Sequence, residues 1–267
     1  MDDTPMVAKE SLSEIVGGGS GSDAALGICT SQRAGRRDGR GAGTMREISA
    51  TQGDLLRCDG SSRIRIGLTD VLVAVYGPME CPVHRQLVDR ADVHVSFRHH
   101  ASSSTMNAFA TRKSLPGEAV AARDLREIVL QSVIVKLHPR KAIAIAVHVL
   151  SDDGGASAAA INATFLALVD AGVSLRSVLT AACVTVHNNA IIVDPEAVEE
   201  AEADAVITLT FETKKGTSAN VVGSYCHGVL GSYENYQSAV QTARKISDGT
   251  REFMELAVKG RVLAAKT

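Results

Sequence analysis

Residues 57–80, RCDGSSRIRIGLTDVLVAVYGPME, decide how the rest of the chain is read. From Ser62 to Ile66 polar and apolar residues alternate, Gly67 interrupts, and Val71 to Tyr76 is a nearly unbroken β-branched and apolar run ended by Gly77-Pro78. The pattern predicts a hairpin feeding a buried strand. Asp59-Gly60 is a pair that tolerates positive φ, and Gly67 stands where a backbone without a side chain turns or bulges without strain.

The remaining composition suits such a core. The chain has 267 residues, 45% of them hydrophobic, enough for one large domain or two small ones with a real interior. Aromatic residues make up 3% and Trp is absent, so Ala, Val, Ile and Leu must fill thin, closely packed layers. A formal net charge of -2 excludes a strongly basic surface over the whole molecule and leaves room for a local one. The five cysteines, Cys29, Cys58, Cys81, Cys183 and Cys226, are odd in number and lack C-x-x-C spacing, which points to a reducing compartment and to no structural zinc. No apolar run approaches the roughly 20 residues of a membrane span, and the N-terminus has no basic start followed by an apolar stretch. A soluble protein with no membrane partner is expected.

Along the chain, residues 1–44 hold nine of the 23 glycines and no sustained apolar period, which predicts a disordered Gly/Ser/Arg-containing tail ahead of one domain over 45–267. Beyond the hairpin, a strand is expected over 91–97, a loop over 99–116, a helix over 118–137 ended by His138-Pro139, and a strand over 142–150. Asp153-Gly154-Gly155 leads into an Ala-rich helix over 157–171, apolar nearly all round and closed by Gly172. Strands follow near 181–187, 190–193, 205–211 and 219–226. A last helix over 234–263 carries an apolar face of Val240, Ala243, Ile246, Phe253 and Leu256. This succession gives an α+β (α/β-like) domain whose second half repeats the order of the first.

The words of the sequence add to its periodicities. The D-G-S start and G-x-T-x-V-L-x-x-V-Y-G-P-x-E of the hairpin resemble the RNase PH family of phosphorolytic exoribonucleases, and so do LHPRKAIAIAVHVLSDDGG, INATFLALVDAGVSLRSV and IIVDPEAVEEAEADAVITLTF. The resemblance runs from about Met45 to the C-terminus. It implies an RNase PH fold of two βαβα-type lobes with helices packed on mixed sheets, like ribosomal protein S5 domain 2, and not a doubly wound Rossmann sheet.

It also implies where chemistry would lie. In active relatives phosphate sits at the start of the helix after D-G-G, held by free N–H groups and by the Arg of a G-T-R-T sequence. The counterparts here are Gly155, Ala156, Ser157 and Ala158, with Ser157 where the Arg is expected. Losing a charged bidentate donor removes about 2 to 5 kcal/mol of phosphate binding, and no nearby arginine offers a local replacement. The acidic D-x-D motif with a further Asp is represented by Asp194, Glu196 and Glu200, where each Glu displaces its carboxylate by about 1 Å. No catalytic residue, metal or other cofactor is therefore expected. Arg98, His99, Arg112 and Lys113 lie in the strand-end and loop region where the family lines its RNA path, and with so few aromatic platforms RNA would be gripped through phosphates.

LSDDGG, LALVDAGVSLRSV and VDPEAVEEAEADA further resemble exosome ring subunits of this family, in which degenerate sites are usual. The resemblance implies a non-catalytic ring subunit that supports RNA binding and 3′–5′ processing and degradation, including that of rRNA, in nucleus, nucleolus and cytoplasm. Its partners would be other RNase PH-like subunits in a six-membered ring, S1/KH cap proteins and single-stranded RNA. The alternative is an active phosphate-dependent 3′–5′ exoribonuclease or tRNA nucleotidyltransferase. A small-molecule kinase is disfavoured, because Gly154-Gly155-Ala156-Ser157 is too short for its phosphate loop.

Overall fold

The computed structural model describes Arg36 and residues 39–99, 116–188, 190–213 and 219–264. In chain order the elements are β1 (Ile48–Gln52), β2 (Gly60–Ile66), β3 (Thr69–Glu80), β4 (Asp92–His99), α1 (Pro116–Ser132), β5 (Lys141–Ser151), α2 (Ala156–Asp170), β6 (Val178–His187), β7 (Ala190–Val193), α3 (Ala197–Glu202), β8 (Ala205–Thr213), β9 (Asn220–Gly228) and α4 (Tyr233–Ala264). They build a five-stranded sheet ordered β1-β2-β3-β5-β4 and a four-stranded sheet ordered β7-β6-β8-β9. Only the first sheet is mixed: β4 and β5 run parallel, joined through α1, and every pair in the second sheet is antiparallel. The second half therefore does not repeat the first, as its strand order had suggested.

The hairpin forms as its alternation dictates, with Ile64 opposite Val71 and Ile66 opposite Thr69. Gly67 turns the chain at φ +57°. Two details differ from the expected reading. β3 continues through the cis Gly77-Pro78 bond to Glu80, because a register irregularity between Tyr76 and Met79 lets its pairing with β5 resume. Gly60 does not supply a positive φ; a Cβ on it would lie 2.3 Å from the Ala171 nitrogen, so its service is close approach of β2 to the end of α2.

α2 is the layer between the sheets. Twelve of its residues are buried, which accounts for an apolar character with no polar face. Its C-terminus closes through Gly172 at φ +68°, with Val173 N–H donating to Leu168 O and Gly172 N–H to Val169 O. Asn162, buried mid-helix, pairs both of its amide groups with the backbone of Ala181 in β6 and so ties the helix to the second sheet.

α1 is shorter than the expected 118–137. Its apolar stripe runs on, but Val133 leaves the helix to bridge Leu175, and the chain turns tightly at Ile134, with Val135 N–H donating to Val133 O (3.0 Å), into a single 3-10 turn over Val135–Leu137. On α4 the buried face comprises Ala239, Ala243, Ile246, Phe253 and Met254, whereas Leu256 is 42% exposed. No described helix is long and apolar enough to cross a membrane.

Part of the region expected to be a disordered tail is docked. Val193 N–H at the end of β7 donates to Ala42 O (2.9 Å), and the Arg36 side chain is 7% exposed. Composition concealed these contacts, because they rest on one backbone carbonyl and one arginine and not on apolar area.

Candidate functional site

The turn between β5 and α2 is shaped by hydrogen bonds to its own neighbours. Thr69 Oγ1 donates to Gly154 O (2.8 Å) and accepts from Asp153 N–H (3.1 Å), and Gly154 N–H donates to Asp152 Oδ1 (3.0 Å). Gly154, at φ +90°, passes so close to the Pro195 carbonyl that a Cβ would meet it at 2.3 Å. The first amides of α2 are thereby brought beside the β7–α3 turn. They face a cleft of about 470 Å³ bordered by His99, Asp152, Ser157, Cys183, Glu200 and His227.

A carboxyl of the protein itself stands at the head of α2. Gly155 N–H donates to Glu200 Oε1 at 2.8 Å, and the Cys183 Sγ lies 3.7 Å from the same oxygen. Burial pushes the Glu200 carboxyl up, and the Asp152 charge adds to this against the opposing Gly155 bond. Burial likewise pushes the Cys183 thiol well up, with the Glu200 charge as a further cause, which favours the protonated thiol over the thiolate.

Asp194 is buried at φ +48°, and both of its oxygens are engaged. Arg46 Nη2 reaches Oδ1 at 2.7 Å, while Arg46 Nε and N–H reach Oδ2 at 2.9 and 2.8 Å. The same guanidinium donates to the carbonyls of Asp153 (2.7 Å) and Gly154 (3.0 Å). Burial works against the Arg46 charge, but the hydrogen bonds and charge of Asp194 outweigh it and hold its pKa above the ordinary value. Arg46 is thus a cation beside the β5–α2 turn that nearness in sequence did not reveal, and Asp194 neutralises it.

Glu196 occupies the N-cap of α3, where its N–H donates to Glu199 Oε2 (2.9 Å) in a capping box. Arg40 Nη2 approaches Glu196 Oε1 at 3.7 Å. Arg36 forks onto Glu199 at 2.9 and 2.7 Å and also donates to the carbonyls of Val193 (3.0 Å) and Asp194 (2.8 Å). Burial raises the Glu199 pKa, but the Arg36 bond and the Glu196 amide outweigh it and leave it lowered. The acids are thus committed to folding bonds, and among the described residues no three His, Cys, Asp or Glu side chains converge to hold a metal.

Of the residues expected along an RNA path, Arg98 pairs with the buried Glu118 at 3.5 Å, and His99 N–H donates to the same carboxylate at 3.1 Å. The His99 ring borders the cleft, with Nδ1 3.9 Å from Asp152 Oδ2. Arg112 and Lys113 lie outside the described residues. A second cavity of about 730 Å³, mainly lined by apolar side chains of α1, α2 and β4, adjoins the first and shares His99, Ser157, Thr208 and His227 with it. Sequence reasoning missed Arg36, Arg46, Glu199 and His227 as members of this region. Each contact joins segments more than 100 residues apart or lies on an edge strand without a motif, so no local pattern in the sequence marked it.

The family model described as the 3′ exoribonuclease family, domain 1 (RNase PH) matches residues 44–174. The mouse (Mus musculus) exosome complex component RRP41 is 31% identical over 236 residues, which cover 86% of this chain and 93% of that protein. The chain belongs to the RNase PH family. Another relative, exosome complex component Rrp41 of Pyrobaculum islandicum, is 31% identical over 193 residues, 71% of this chain and 78% of that one. Among solved structures, rice (Oryza sativa) Rrp46 matches with a TM-score of 0.75 and 27% identity over 84% of this chain and 100% of the rice chain. The Archaeoglobus fulgidus exosome with RNA bound to its active site has a TM-score of 0.66 at 20% identity over 81% and 91% of the two chains, a likeness of fold. Like these structures, this RNase PH-family chain combines helices and sheets in a mixed α+β architecture.

Proposed function

We propose that this RNase PH-family chain is a non-catalytic subunit of an exosome ring, which pairs with other RNase PH-like chains and helps hold RNA for 3′–5′ processing and degradation, rRNA included. The observation that carries this reading is the Gly155–Glu200 bond: at the head of α2, where a phosphorolytic enzyme needs an inorganic anion, stands a carboxylate of the chain itself. With Ser157 in place of the family's Arg, phosphate would have to displace a like-charged group, and the Arg46 guanidinium beside the turn is already paired with Asp194. The likeness to Rrp41 and Rrp46 proteins supports membership of a ring, and S1/KH caps and action in nucleus, nucleolus and cytoplasm are part of the same proposal.

The alternative, an active phosphorolytic exoribonuclease or tRNA nucleotidyltransferase, is favoured by one observation: the cleft is open, and an acid, Glu200, remains at it. Incubating the pure chain with labelled single-stranded RNA and phosphate separates the two. The expected result is no shortening and no nucleoside diphosphate. Phosphate-dependent shortening with release of nucleoside diphosphates would establish the enzyme.

A further inference from the structure

At the end of the five-stranded sheet remote from the cleft, the segments before β4 and before β5 lie side by side, joined by Ala91 N–H to Val135 O (2.9 Å) and Arg140 N–H to Leu87 O (3.0 Å). Together they present five exposed cations, Arg85, Arg90, Lys136, Arg140 and Lys141, none of which forms an ion pair among the described residues. The nearby acids are Glu80, Asp89 and Asp92, so this end is positive in a chain of net charge -2. Between the cations stand aliphatic side chains open to solvent: Val83 is 86% exposed, Val88 73% and Leu137 57%. β5 spans 11 residues from this end to the cleft, about 33 Å at strand rise.

Neither feature is explained by folding. Exposed branched aliphatics gathered in one place mark an interaction surface, and an apolar centre within a charged rim is the anatomy of a protein interface. RNA phosphates would pair with the five cations but leave Val83, Val88 and Leu137 uncovered, whereas an aliphatic protein segment covers them. We infer that this end of the sheet docks a protein segment carrying aliphatic side chains flanked by Asp or Glu, the carboxylates pairing with Arg85, Arg90, Lys136, Arg140 and Lys141 and the aliphatics covering Val83, Val88 and Leu137. The docking surface does not depend on whether the cleft is catalytic, since it lies at the opposite end of β5.

The test uses the full chain, a short fluorescein-labelled peptide of alternating Glu and Leu pairs, and labelled oligouridylate, each followed by anisotropy. Two variants separate charge from burial: Arg85→Glu with Lys136→Glu, and Val83→Asn with Leu137→Asn. All four positions are exposed, so an unchanged melting midpoint verifies folding. The expected result is that wild type binds the peptide, that each double variant weakens binding by about tenfold or more, and that oligouridylate affinity stays the same. Absence of peptide binding by wild type, equal binding by wild type and both variants, or loss of oligouridylate binding in the charge-reversed variant would overturn the inference, the last in favour of a nucleic-acid surface.

Discussion

Arg46 shows at the scale of one residue how this site holds the fold together. Its guanidinium satisfies Asp194 and two turn carbonyls at once, in a place that is 6% exposed. Removing it strands a buried carboxylate, so Arg46→Met should cost about 3 kcal/mol or somewhat more. Adding Asp194→Asn, which keeps a residue tolerant of positive φ and removes the charge, should restore at least half of that loss. Denaturant midpoints of the two variants measure both effects, and equal losses in the single and double variants would contradict the pairing. Glu200 and Glu199 predict opposite pH responses. The Glu200 pKa is raised on folding, so its contribution is full below the ordinary carboxylate range and lost as pH rises through the raised value. The Glu199 pKa is lowered, so its contribution is present above that range and lost as pH falls through the lowered value. Glu200→Gln should therefore raise the melting temperature at neutral pH, and Arg36→Ala should flatten the fall in stability on the acid side. Melting curves over a pH series test both.

At the scale of elements, the N-terminal segment is the unexpected part. Arg36 and the Ala42 carbonyl hold the end of β7 and the start of α3, so a chain starting at Met45 should lose about 1.5 to 3 kcal/mol and exchange its Val193 and Glu196 amides faster, while still pairing with a ring partner. An unaltered exchange rate would make the docking irrelevant to stability. What could be read in the sequence follows from range. β3, β5 and α2 were legible because β-branched runs, the D-G-G turn and Gly172 act within a few residues. The end of α1 was not, since Val133 to Leu137 continues a plausible apolar stripe and only a partner 42 residues away, Leu175, draws Val133 out of the helix. The site was legible in the same measure. The motif located Gly155 to Ala158 and the three acids, but the Glu200 carboxylate on the Gly155 amide joins residues 45 apart, and Arg36 reaches across 163 to Glu199. Propensity and pattern carry no information about such pairs.

At the scale of the molecule, the open edges argue for partners. β9 is an edge strand with most of its residues exposed or half-buried, and β4 forms an edge of the other sheet. Such edges are templates for pairing. The isolated chain should self-associate, and co-expression with another RNase PH-like subunit should give a soluble heterodimer, as measured by size-exclusion chromatography with light scattering. A homo-hexamer would instead point to a free-standing phosphorolytic enzyme. The central claim, that the cleft does no chemistry, is tested most directly in the reconstituted ring by the rate of 3′–5′ RNA shortening with wild-type chain and with Glu200→Gln. The account predicts equal rates, with and without phosphate, because Glu200 closes an anion site and does not serve a reacting one; a phosphate-dependent rate lost with Glu200→Gln would contradict it.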